Sequence, residues 1–452
     1  MSLDRRHFLT AAGASAATLL TGCASGAGTG GKAAALPFFI GQPAQTLLAK
    51  GKAPRVVVCG GGWGGLTTAK YLRQLAPSAE VVLLERNPVF FSCPISNKWL
   101  VDMVDTSFIT HDYLRVSERH GYRFIQTEVL EVDRSAKRVV TTLGSLDYDY
   151  LVLAPGIRYN YEAWFGNDRR IADATRARFP AAYITNNEHF ALKQALHNFK
   201  GGDWVMTLPP PPQRCPPSPY ERACMVAWYF KHNKIKGKVT ILDHKDGVRP
   251  IGPGFRAAFN ELYKDYITYV PNAHVQSIDP FKKEIKTDAG DMNFDHAVLM
   301  APHQAGDLAW KADTIGRTGE GKPSGWADVD PLMLHLKGDP NVYVIGDAVG
   351  FVSPQFAFYP KSAHVANKHG HIVAGYIAER IAGRSPKTNL PDNLCYMMVN
   401  GDPREAISVQ FDYKVNDKGV IEQTQIDINQ RSGDLVKENF RWAGLKFEDM
   451  FG

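Results

Sequence analysis

The chain is poor in the residues that build extracellular scaffolds. It has six cysteines in 452 residues, too few for a disulfide framework, so each one must be read for its own chemistry. No stretch reaches the ~18 continuous strongly apolar residues that a membrane-spanning helix needs. Neither sign of charge dominates: 52 Lys and Arg stand against 46 Asp and Glu, evenly spread, which argues against nucleic acid as a partner. There is no Cys-x-x-Cys-His haem attachment motif, so a c-type haem would have to sit on another chain. No metal-ligand cluster is apparent. His369-Gly370-His371 falls on a predicted helix, where positions i and i+2 do not share a face, and reads as surface. What remains is an ordinary globular composition, 44% hydrophobic, long enough for two or three domains.

The first 35 residues read as a targeting segment. Asp4-Arg5-Arg6-His7-Phe8-Leu9 is a twin-arginine pattern, followed by the weakly apolar run Ala11–Thr21. It points to export of the folded protein by the Tat route to the periplasm, with the cofactor loaded beforehand. Two readings of Cys23 stand. Leu20-Thr21-Gly22-Cys23 has the form of a lipobox, which would anchor Cys23 to lipid; cleavage after Ala33-Ala34-Ala35 would discard it.

Beyond it, Arg55–Val58 is a β-branched run that leads directly into Gly60-Gly61-Gly62-Trp63-Gly64-Gly65. A helix to Leu75 and a second apolar strand, Val81–Leu84, end at Glu85. This strand–glycine–helix–strand–acid order is a dinucleotide fingerprint. Gly60 permits the tight turn, Gly62 lets the backbone approach a pyrophosphate, and Gly64 and Gly65 let helix and strand pack closely. The helix N-terminus faces the phosphates, and Glu85 is placed for a ribose hydroxyl. After the strand Asp203–Leu208, where a second dinucleotide turn would follow, the chain instead runs Pro209–Pro219 with seven prolines. Proline has no N–H to cradle a pyrophosphate, so NAD(P)H is not expected to bind there.

Further segments carry resemblances. Asn341–Gly350, a strand ending in Gly346-Asp347, resembles the second flavin fingerprint of the two-dinucleotide-binding flavoproteins, which implies that Asp347 bonds the ribityl chain of FAD. Tyr150–Gly156 resembles that superfamily's crossover, with Val129, Ala154 and Gly156 expected at the cofactor; Asp295–Pro302 looks like the return. Gln213–Ala223, with Cys215-Pro216-Pro217-Ser218-Pro219-Tyr220-Glu221-Arg222, closely resembles a segment of the flavoprotein subunit of flavocytochrome c sulfide dehydrogenase. So do Phe91–Asn97, Pro360-Lys361-Ser362 and the tail around Cys395-Tyr396. The resemblance runs from about residue 54 to 452.

It implies an α/β fold of two Rossmann-like domains of the disulfide-reductase type plus a C-terminal α+β cap. The expected parts are an FAD domain at 54–165 and 300–384, a second Rossmann-like domain without an NAD fingerprint at 166–299, and a cap at 385–452. It implies an FAD enzyme that oxidises sulfide or a related sulfur compound and passes electrons to a c-type cytochrome subunit. Cys93 matches the cysteine that bonds FAD covalently; a buried small thiol is the other reading. Cys215 matches one half of a redox disulfide. The segment Ser324–Asp330 aligns with the place expected for the other half, and Ala327 stands there. On that alignment Cys215 acts alone, with Arg214 lowering its pKa. Or the chain is a flavin dehydrogenase or reductase on another small substrate, or an electron-transfer flavoprotein subunit. Two readings also stand for Glu221, proton relay or helix N-terminal acid, and for Lys361, partner of reduced flavin or solvated surface lysine.

Overall fold

The computed structural model describes residues 45–185 and 187–452; the twin-arginine pattern and Cys23 lie outside them. The fingerprint forms β1 (Arg55–Cys59), α1 (Trp63–Leu75) and β2 (Glu80–Glu85). All five residues of β1 are buried, as expected of a strand covered on both faces of a parallel sheet. Also labelled are α2 (Ser96–Leu100), β3 (Arg123–Gln126), β4 (Tyr150–Leu153), α3 (Glu188–Asn198), β5 (Gly202–Leu208), α4 (Ser218–His232), β6 (Gly237–Asp243), β7 (Ile267–Val270) and β8 (His296–Leu299). Then come β9 (His335–Leu336), β10 (Asp339–Val344), α5 (Ala363–Ile381), β11 (Asn393–Gly401), β12 (Arg404–Val415), β13 (Ile421–Ser432) and α6 (Gly433–Phe451).

Three sheets organise the site. The first has the order β9-β10-β4-β1-β2-β3, parallel except at its β9 edge. The second is the parallel sheet β7-β6-β5-β8. Two Rossmann-type sheets are thus built, the first from both flanks of the second in sequence. The antiparallel meander β11-β12-β13 with α6 forms the cap, as its sequence suggests. Strand Ile157–Tyr159 pairs with His303–Ala305 where the chain leaves and re-enters the first domain.

The glycines are used as the fingerprint requires. Gly60 has φ +107, and a Cβ there would sit 2.3 Å from the Ala154 carbonyl oxygen. One at Gly65 would sit 1.8 Å from the Gly60 carbonyl oxygen. Close approach continues on the far side of α1, where a Cβ on Gly370 of α5 would lie 2.6 Å from the Gly64 carbonyl oxygen. That crossing corrects the surface reading of His369. It is fully buried, and its Nδ1 accepts a hydrogen bond from Gly346 N at 3.1 Å. Only His371 stays half-exposed, beside Asp449 at 2.9 Å.

Candidate functional site

The ends of β1, β2, β4 and β10, the start of α4 and the first strand of the cap enclose a cavity of about 910 Å³. Its lining gathers Gly60, Gly62, Gly64, Glu85, Cys93, Val129, Ala154, Gly156, Cys215, Glu221, Gly346, Asp347 and Lys361. Of the residues that sequence singles out, Gly65 stands behind the wall as the packing glycine.

The fit to FAD can be tested on the polar atoms. Gly62 caps α1 with open space where a side chain would be, so the helix N-terminus is accessible to phosphate. Glu85 Oε2 accepts from Gly61 N at 2.7 Å, and Oε1 accepts from Asn87 N at 2.8 Å, which aims the carboxylate into the cavity. Asp347 is buried, with Oδ2 held by Arg214 Nε at 2.7 Å and Oδ1 left with no partner among the described residues. A buried carboxylate oxygen without a donor is costly, and a ribityl hydroxyl is the donor it lacks. These residues fit the dinucleotide.

Lys361 is buried, not solvated. Its ammonium contacts the Val349 carbonyl and lies 4.3 Å over the Trp326 ring. Burial pulls its pKa down to about 7, with Asp347 opposing. Its charge is therefore available to an anion bound in the cavity and easily lost without one.

The largest difference from the sequence reading concerns sulfur. Cys215 has the left-handed φ of 47°, uncommon for a non-glycine residue. It is held by Cys215 N donating to the Lys361 carbonyl at 2.6 Å and by Ser218 N donating to the Cys215 carbonyl at 2.9 Å. Its thiol neighbours the thiol of Cys395 on β11, and both line the cavity. Interaction with Cys215 draws the Cys395 thiol below its ordinary value, helped by Asn393 Nδ2 donating to its Sγ at 3.4 Å. The same interaction, with burial, pushes the Cys215 thiol up. Ala327, where the resemblance places the other half, offers no sulfur. It is buried in the strand Pro323–Ala327, its carbonyl accepting from Gly350 N at 2.9 Å, and it does not line the cavity. Nor does Arg214 activate Cys215: its guanidinium is held by Asp347 and, at 2.5 Å, by the Tyr183 carbonyl. The charge of Arg214 instead acts on Cys93.

Glu221 ties the helix that follows Cys215 to the strand that carries Cys395. On the first turn of α4, its carboxylate accepts from Lys98 Nζ at 2.5 Å, Asn97 Nδ2 at 2.8 Å and Met398 N of β11 at 2.8 Å. It therefore ties α2, α4 and β11 together, a role that neither sequence reading anticipated. Replacing Lys98 with Met leaves this buried carboxylate unpaired, and a loss of about 3 kcal/mol of stability is expected. Urea denaturation measures it, and adding Glu221→Gln to Lys98→Met should recover part of the loss. An unchanged midpoint would show that the pair is immaterial.

Comparison with known proteins agrees with this geometry. Residues 54–192 match the pyridine nucleotide-disulphide oxidoreductase family, and residues 190–301 match the central part of the sulfide dehydrogenase (flavocytochrome c) flavoprotein chain. That flavoprotein chain from Chlorobaculum thiosulfatiphilum is 60% identical over 43 residues, which is 10% of this chain and 90% of that sequence. The mitochondrial sulfide:quinone oxidoreductase of Mus musculus is 24% identical over 316 residues, 67% of each chain. Among solved structures, the sulfide:quinone oxidoreductase of Aquifex aeolicus superposes with a TM-score of 0.70 at 18% identity, covering 88% of this chain and 91% of that one.

Proposed function

We propose that this chain, which belongs to the flavoprotein family of sulfide:quinone oxidoreductases and flavocytochrome c sulfide dehydrogenases, oxidises sulfide through a Cys215–Cys395 pair beside FAD. The observation that carries the reading is the juxtaposition of those two thiols in the wall of a cavity that fits FAD.

The roles follow from the environments of the two sulfurs. In the oxidised pair, hydrosulfide attacks one sulfur, the S–S bond breaks, and the other sulfur leaves as thiolate. The lower-pKa thiol leaves faster. The amide of Asn393, which donates to the Cys395 Sγ at 3.4 Å, favours Cys395 as that thiol, so attack falls on Cys215, which becomes the persulfide while Cys395 carries the negative charge. Asn393 Nδ2 is in place to hold that charge. Glu221 fixes the distance between the two elements by gripping both. FAD, when bound, supplies the two-electron acceptor in the same cavity. Asp347 and Glu85 orient it, and Lys361 offers a cation to its reduced, anionic form.

Electrons then pass to a c-type cytochrome on a separate chain, a reading supported by the family resemblance. The twin-arginine pattern supports a periplasmic location, and the Cys23 lipobox would make it an anchored one. The placement of Cys93 in the cavity wall supports a covalent thioether to FAD.

Anaerobic titration tests the reading. Sulfide is expected to bleach the bound flavin stoichiometrically, and added c-type cytochrome to restore it. Bleaching by other small reductants but not by sulfide would move the protein to a different substrate. Bleaching only by a reduced partner would make it an electron-transfer subunit. The thioether has its own test: acid-precipitated protein should stay yellow, and Cys93→Ser should release all of its FAD.

A further inference from the structure

Cys93 has a neighbour that the chemistry of Cys215 and Cys395 does not use. Its Sγ lies 3.7 Å from His189 Nε2 and 3.5 Å from the Tyr183 carbonyl oxygen. His189, in the first turn of α3, is fully buried, with its ring 5.0 Å from that of Phe91. Its Nδ1 has no partner among the described residues. A buried nitrogen left bare is costly, and an apolar side chain would fill the same space without that cost. The imidazole is therefore placed for something other than packing.

We propose that His189 is the general base that joins Cys93 to FAD. This rests on the thioether reading above. The S–H bond of Cys93 and one C–H bond of the flavin 8α methyl break, and an S–C bond forms. His189 Nε2 takes the thiol proton as the sulfur attacks. The electron pair stays on the flavin ring with two protons, and dioxygen then removes it as hydrogen peroxide, restoring oxidised flavin. The surroundings explain why a base is needed. Burial, with Asp347 and Glu188, holds the Cys93 thiol protonated, while Arg214 and Arg222 oppose this. Burial and the same two arginines keep the imidazole neutral and able to accept.

The test uses the full chain made in riboflavin-starved cells and then given FAD. Non-covalent uptake is followed by the flavin spectrum, and covalent flavin by acid precipitation and intact mass. His189→Asn and His189→Gln are expected to take up FAD but to bond it about 100-fold more slowly. Their rates should climb with pH, as the thiol must ionise unaided, where the wild type is level. Either variant matching the wild type in rate and pH profile would overturn the proposal. So would failure of both to take up FAD, which would make His189 a packing residue. A wild type without acid-stable flavin, indistinguishable from Cys93→Ser, would instead sink the thioether reading and the base with it.

Discussion

Cys395→Ser is expected to abolish sulfide oxidation as completely as Cys215→Ser does. Each should lower kcat/KM by on the order of 10³-fold or more, and the double variant should be no worse than either single one, because the two sulfurs act as a unit. Ala327→Ser should leave the rate unchanged. Thiol titration of the oxidised, denatured protein gives an independent measure: reduction should free two further thiols in wild type and none in either single variant. In the reduced protein, alkylation at Cys395 should persist below its ordinary pKa of 9.0 and fall only as pH drops through the lowered value. Cys215, whose thiol is pushed up, should stay unreactive across that range. Full sulfide turnover by Cys395→Ser would return the protein to a single-cysteine mechanism.

NADH and NADPH are expected not to reduce the flavin on the timescale of turnover. In the second sheet β5 runs into Pro209–Pro219, which lacks the N–H groups of a phosphate turn. The acid at the end of β6, where a carboxylate would meet the ribose, is Asp243. It is fully buried and taken up by Tyr220 Oη at 2.5 Å, Lys245 Nζ at 2.7 Å and Tyr269 Oη at 3.0 Å. The phosphate half of a nicotinamide site thus lacks its N–H donors, and the ribose acid is occupied by the chain itself. Stopped-flow mixing with each nucleotide, beside sulfide as the positive control, decides the matter. Rapid bleaching by either would show that a nicotinamide reaches the flavin by another route.

The two predictions differ in how far they could be read without a structure. The proline run is contiguous, and its consequence follows from the chemistry of one residue type, so the missing phosphate turn was legible at once. The same holds for Gly60–Gly65 with Glu85 and for Gly346-Asp347. Each lies within one βα unit or strand end, where hydrogen-bond geometry and hydrophobic period tie sequence to conformation.

Cys395 was not. It is far from Cys215 in the chain, and only the packing of β11 against α4, clamped by Glu221, brings the two thiols together. A local likeness around Trp326 pointed to Ala327 instead, because similarity of a short segment carries no information about what faces it across the fold. His369 was misread, His189 passed over and Lys361 left between two readings for a related reason. Lysine is mostly exposed and histidine intermediate, and composition gives no sign when tertiary packing buries one. The sequence determined the cofactor class, through motifs whose parts are neighbours in the chain. Which sulfurs meet, and which cations and bases stand beside the flavin, was decided by contacts between distant segments, and those exist only once the sheets and cap have closed on one cavity.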